Sequence, residues 1–326
     1  MPIHDLGYRG WEGRRSSDGV RWWVIAQTGV RLTWKSTWVR RMLFFAWLPT
    51  LAWGIGFFLY EQVLQQPADF QRAFVEFLQV VDFGSGDFDD LIVAVREDPR
   101  AARHQVWATL LMIFFRSPQA ILMVMLVGLI APPLISQDIR SRAFLVYFSR
   151  PITPVEYVLG KASVVWAYLL MITGLPAMAL YVMAILLSPD LSLLAETWDL
   201  PLRIAGASIV LLIPTTAVAL CFSSMTSESR YAGFAWFAMW ILGMVTYVIL
   251  SARDTAVSFD PERGFRDVPD RWILLSPYAT LGEVQQWIFG LKPAFAGVLP
   301  EALAILTVTV IAAFVLLRRV SAPMRV

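Results

Sequence analysis

Charge is scarce in this sequence of 326 residues: Asp, Glu, Lys and Arg make up 16% of it, against about 25% in ordinary soluble domains. Histidine is scarcer still. His4 and His104 stand isolated, and no Cys/His/carboxylate cluster has the spacing of a metal site. The single cysteine, Cys221, excludes a disulfide within one chain and reads as a small buried hydrophobe. There is no G-x-x-x-x-G-K-[ST] string: Gly160-Lys161 is followed by Ala162, and Val155 stands where a phosphate loop needs glycine. The chain therefore has no nucleotide-binding device of that kind, and no cofactor is expected on it.

Enzymatic readings fail on the same scarcity. The string GSGD at 84–87 matches the G-x-G-D of intramembrane aspartyl proteases, but that chemistry needs two carboxylates sharing a proton inside the bilayer. Asp87 falls in an acidic stretch, VDFGSGDFDD, that reads as an exposed turn. No serine–histidine pair stands out. The expectation is a protein that is not itself an enzyme and binds no nucleic acid.

What the sequence does have is apolar length. Hydrophobic residues make up 57% of it and the mean hydropathy is +0.60. A hydrocarbon layer of ~30 Å takes about 20 residues of helix to cross. Six runs of roughly that length contain no Asp, Glu, Lys, Arg or His: 42–60, 119–136, 162–187, 204–223, 231–251 and 302–317. The fold class predicted is an all-α integral membrane protein with six transmembrane helices.

Charge between the runs predicts orientation, because Lys and Arg near span ends stay on the cytoplasmic side. Residues 1–41, the loop 137–161, the short link containing Arg230 and the C-terminal tail hold sixteen basic residues against six acidic ones, a net +10. The segments 61–118, 188–203 and 252–298 hold eleven basic and eighteen acidic residues, a net −7. Both termini are thus expected in the cytoplasm of a multi-pass inner-membrane protein. Some forty polar and basic residues precede the first run, so that run reads as a retained anchor, not a cleaved signal.

The N-terminal part of the third run is rich in helix-start chemistry. Thr153 suits an N-cap, Pro154 the first helical position, and Glu156 the third, from which its carboxylate can reach back to the cap: a capping box. A continuous helix from Pro154 to Leu187 would exceed the hydrocarbon thickness, so its first two turns should stand below the membrane, with a kink at Gly174 and Pro176. Upstream, Asp138, Arg140 and Arg142 cluster, followed by Phe144, Leu145, Val146, Tyr147 and Phe148, which are apolar on every side. Such a short helix either lies among lipid headgroups or docks a cytoplasmic protein. Over residues 20–40 a helical wheel gathers Trp23, Ala26, Val30, Trp34 and Trp38, flanked by Arg21, Arg31 and Lys35, the composition of an interfacial helix in contact with membrane lipids.

The stretch DIRSRAFLVYFSRPITPVEYVLGK, residues 138–161, resembles the cytoplasmic loop between spans two and three of ABC transporter permeases of the ABC-2 type, through Asp138, Arg142, Arg150, Pro151, Glu156, Tyr157, Gly160 and Lys161. The resemblance implies the layout of 1–41 as a cytoplasmic N-terminus with an amphipathic connecting helix, 42–318 as a six-span permease domain and 319–326 as a cytoplasmic tail. Within 252–298, RWILLSPYATLGEVQQWIFG (271–290) is expected as a re-entrant or surface helical hairpin. The family also implies a separate ATP-binding cassette ATPase subunit carrying ATP and magnesium. That subunit would seat on a coupling helix with Asp138, Arg140, Arg142, Phe144, Tyr147 and Arg150, with Thr153, Pro154 and Glu156 capping a lever helix. A homodimer or a paralogous permease pair, and export as the direction, follow from the same likeness.

Two features depart from the family. The outer segment 61–118 is long, and its apolar piece at 105–115, too short to span, either lies on the surface or extends the second span outward. Other functions stay open. A secondary transporter or channel usually keeps charged or histidine side chains within its spans, and these six runs have no Asp, Glu, Lys, Arg or His, although Pro132-Pro133, Pro176 and Pro214 could each open a helix. A membrane scaffold for a cytoplasmic complex is the third.

Overall fold

Thirteen α-helices make up almost all of the structure among the described residues. The computed structural model describes residues 20–82, 89–143, 152–188, 193–257, 259–260, 264–265, 272–292 and 294–321. In chain order the helices are α1 (Arg21–Trp34), α2 (Thr37–Gln65), α3 (Pro67–Asp82), α4 (Asp89–Glu97), α5 (Arg103–Arg116), α6 (Leu122–Arg140), α7 (Pro154–Ile172), α8 (Gly174–Leu187), α9 (Leu193–Thr197), α10 (Leu200–Met225), α11 (Ser229–Val257), α12 (Pro277–Ile288) and α13 (Leu299–Ser321). Among the described residues the small exception to helix is an antiparallel pair of two-residue strands, Phe259–Asp260 with Gly264–Phe265.

Among the described residues six helical segments are long and apolar enough to cross a membrane: Thr37–Gln65, Leu122–Arg140, Pro154–Leu187, Ala195–Met225, Ser229–Asp254 and Phe295–Ser321. Several overrun the apolar runs that predict them, because a helix is ended by a cap or a turn and not by the edge of the hydrocarbon. The first therefore takes in Glu61, beyond the uncharged stretch 42–60.

The fourth span is the centre of the bundle, with 61% of its most apolar window buried against 17% and 11% for the fifth and sixth. Helix α10 packs against α6, α7, α8, α11, α12 and α13. The fifth and sixth spans instead turn Phe234, Leu242, Ile249, Leu306 and Phe314 outward.

Prolines shape the spans locally. Pro132 and Pro133 remove two N–H groups from the middle of α6. Ser223 of α10 fills the opened turn: its Oγ accepts the N–H of Ile135 (3.1 Å) and of Ser136 (3.2 Å) and donates to the Pro132 carbonyl (2.6 Å). The third span breaks at Thr173, one residue before Gly174, into α7 and α8. There α10 comes so close that a Cβ on Gly174 would lie 3.0 Å from the Ser208 hydroxyl.

The piece at 105–115 is the α5 helix, and Val106, Trp107, Leu110, Leu111, Phe114 and Phe115 are buried in the core against α2 and α8. It passes through one 3-10 turn, Ser117–Gln119, toward α6. Of the two expected arrangements, the surface one is thereby replaced by an extension of the second span, since apolar side chains all round a helix need partners on every side. Helix α12 is likewise buried at Thr280, Leu281, Val284 and Gln285, between α10, α11 and α13.

Helix α1 does not lie apart from the bundle. Its register advances with that of α7. A Cβ on Gly160 would meet the Trp22 carbonyl at 2.9 Å, Gly29 faces Val164, and the Tyr168 hydroxyl donates to the Val30 carbonyl at 2.9 Å. Ala26 is buried in this seam, whereas Trp23, Trp34 and Trp38 are exposed. The aromatic face that the wheel draws as one surface is thus divided between a protein contact and the exterior.

Candidate functional site

The side of the bundle where α6 ends and α7 begins carries most of the sequence-predicted residues. Helix α6 closes through two reverse hydrogen bonds, from the Ala143 N–H to the Asp138 carbonyl (2.9 Å) and from the Arg142 N–H to the Ile139 carbonyl (3.2 Å). This is the Schellman arrangement, with Arg142 in the left-handed region at φ 53° where glycine is usual. The Asp138 side chain reaches α7. Its Oδ2 accepts from the Tyr157 hydroxyl (2.6 Å) and sits 2.7 Å from Lys161 Nζ. Tyr157 is fully buried, and the Lys161 ammonium lies 5.4 Å from its ring centroid.

The start of α7 is capped from the other direction. The Thr153 Oγ1 accepts the Glu156 N–H at 3.2 Å, and Glu156 Oε2 accepts the Thr153 N–H at 2.8 Å. Pro154 takes the first helical position, where no N–H is needed. This reciprocal pair depends on four consecutive residues only.

The sequence-predicted docking residues divide. Arg140 and Arg142 are exposed, and Arg140 makes only a surface ion pair with Glu228, at 3.4 Å, of a kind that contributes little. Asp138 faces into the elbow instead. Phe144, Tyr147 and Arg150, with the rest of 144–151, lie outside the described residues, as does the GSGD stretch at 84–87.

A second polar cluster lies at the opposite end of the bundle. Glu61 is 1% exposed, and its carboxylate receives Arg103 Nη2 at 2.7 Å and the Trp107 indole N–H at 3.2 Å. Arg103 also donates to Ser188 Oγ at 2.7 Å. Next to it in sequence, His104 contacts Asp199 at 3.0 Å, and Asp199 accepts from Arg203 Nε at 2.5 Å. Arg203 in turn donates to the Ile288 carbonyl at 2.8 Å, joining α10 to the end of α12.

This cluster corrects two expectations. His104 is not isolated: Asp199, 95 positions away, meets it. Nor are the spanning helices free of buried charge, because Glu61 is on α2. Its carboxylate is already matched by Arg103, so it is a structural ion pair and not an open cation site. No sequence signal marked Glu61, since its partner lies in what reads as an outer loop. Among the described residues no three His, Cys, Asp or Glu side chains gather as for a metal ion.

No family model and no curated protein matches this chain. The described residues form an almost wholly helical architecture with six helices long and apolar enough to cross a membrane, as in a multi-pass membrane protein.

Proposed function

We propose that this chain is the membrane-spanning permease subunit of an ATP-binding cassette transporter of the ABC-2 type, in the inner membrane with both termini cytoplasmic. ATP and magnesium bind a separate ATPase subunit that docks on the loop after the second span. The observation that carries the reading is the elbow 138–161, whose residue pattern resembles the family's coupling loop and whose two flanking helix ends are tied together by Asp138, Tyr157 and Lys161. Nucleotide-driven closure of the ATPase pair pushes the elbow. The push enters α7 through the Thr153–Glu156 cap.

The lever defined this way is α7 alone. Its 19 residues make a rod of about 28 Å, ending at the Thr173 break. A force on its first turn tilts the lower half of span three against α1 and α10 while α8 keeps its contacts beyond the break. The outward apolar faces of the fifth and sixth spans are available to lipid or to a second permease copy, and export is the direction the family likeness favours.

Purifying the tagged full-length chain from its native membrane tests this. A phosphate-loop ATPase co-purifying with it, hydrolysing ATP in the complex, is the expected result; Phe144→Asp combined with Tyr147→Asp should release it. A chain that purifies alone and moves solute down an ion gradient would establish the secondary-transporter reading instead.

A further inference from the structure

We infer that Asp138 is a positioning residue that clamps the elbow shut, not part of the surface on which a partner seats. The inference rests on the transporter reading for its consequence, but its geometry stands alone. Asp138 acts with two different groups. Its carbonyl accepts the Ala143 N–H and so fixes the direction in which the chain leaves α6. Its carboxylate holds α7, one oxygen taking both the Tyr157 hydroxyl and the Lys161 ammonium.

The two α7 groups are four residues apart and so share one face of the helix. The Asp138 side chain is 16% exposed and that of Lys161 12%. Water therefore screens the pair weakly, and the charge-assisted bond is stronger than a surface one. Leaving either group without its partner in that setting is unfavourable, which holds the pair together. Arg140, two residues on, is 68% exposed and supplies the outward charge that a docking surface needs.

The consequence is mechanical. With α6 and α7 joined at one carboxylate, a displacement of the intervening residues moves both helix ends as a unit. Without the clamp the elbow spreads, and the displacement is absorbed there before it reaches α7.

Elbow width is measured between nitroxides on Ser141→Cys and Val155→Cys, in a Cys221→Ala background, using the full-length chain in nanodiscs with whatever ATPase co-purifies. The parent should give one narrow distance with and without Mg-ATP. Asp138→Asn and Lys161→Met should broaden it at least two-fold while the ATPase still co-purifies, and Lys161→Arg should leave it narrow. Tyr157→Phe, which removes only a hydroxyl from a buried ring, should broaden it less. Unchanged widths in Asp138→Asn and Lys161→Met would overturn the clamp, as would loss of the ATPase from Asp138→Asn with the elbow still narrow. If the parent chain brings no ATPase, the transporter reading falls, and the width measurement still decides the clamp.

Discussion

Arg103 and Glu61 are 42 positions apart, yet the guanidinium Nη2 lies 2.7 Å from the carboxylate Oε2 at a site where Glu61 is all but sealed from solvent. The pair joins α5 to α2. Removing one charge strands the other, so Arg103→Ala should cost about 3 kcal/mol, while Arg103→Leu combined with Glu61→Leu should cost less than either single change. Denaturation of the purified protein in detergent gives the ranking; additive single effects would show that the two side chains do not depend on each other.

Ser223 offers a second test, in the centre of the bundle. Its hydroxyl serves three backbone groups beneath the double proline of α6. Ser223→Ala takes those partners away and should cost about 1–3 kcal/mol. Ser223→Thr keeps the hydroxyl and should retain most of the stability. Hydrogen exchange at the Ile135 and Ser136 amides should accelerate in the alanine variant only.

At Arg142 the backbone and not the side chain sets the expectation. A left-handed residue costs about 1–2 kcal/mol when it carries a Cβ, more when the side chain is β-branched. Arg142→Gly should leave the melting temperature unchanged or raise it, and Arg142→Val should lower it. A drop in the glycine variant would mean that the guanidinium itself holds the turn.

The cap on α7 separates local from global stability. Thr153→Ala should cost about 1 kcal/mol of helix start, and Glu156→Ala should act in the same direction by freeing the Thr153 N–H. Both changes should speed amide exchange over Val155–Val158 without altering the exchange of Val164–Leu169. Under the proposed function they leave the ATPase bound, because the docking residues are elsewhere.

Gly160 tests the seam between α1 and α7. Its missing Cβ admits the Trp22 carbonyl and Ile25, and Gly160→Leu should force α1 away. Cysteines introduced as Gly29→Cys and Val164→Cys should crosslink readily in the parent and poorly in the leucine variant; equal crosslinking would show that α1 is held by other contacts.

Sequence alone determined the features that need only neighbouring residues. Six long apolar runs dictate six long helices, because a bilayer leaves backbone polar groups no partner except their own helix. Thr153, Pro154 and Glu156 dictate the capping box within a single turn, and Gly174 with Pro176 marks the break at Thr173. Tertiary structure alone decided the pairs that join distant segments: Glu61 with Arg103, His104 with Asp199, Ser223 with the α6 backbone, and Asp138 with Lys161. Such pairs form only once packing has brought their helices together. A carboxylate read along the chain carries no sign of which cation, tens of residues away, will neutralise it. The same limit explains why α5 read as a surface segment or an appendage to span two. Its apolar side chains gave its hydrophobicity, but only the packed α2 and α8 show that it fills the core.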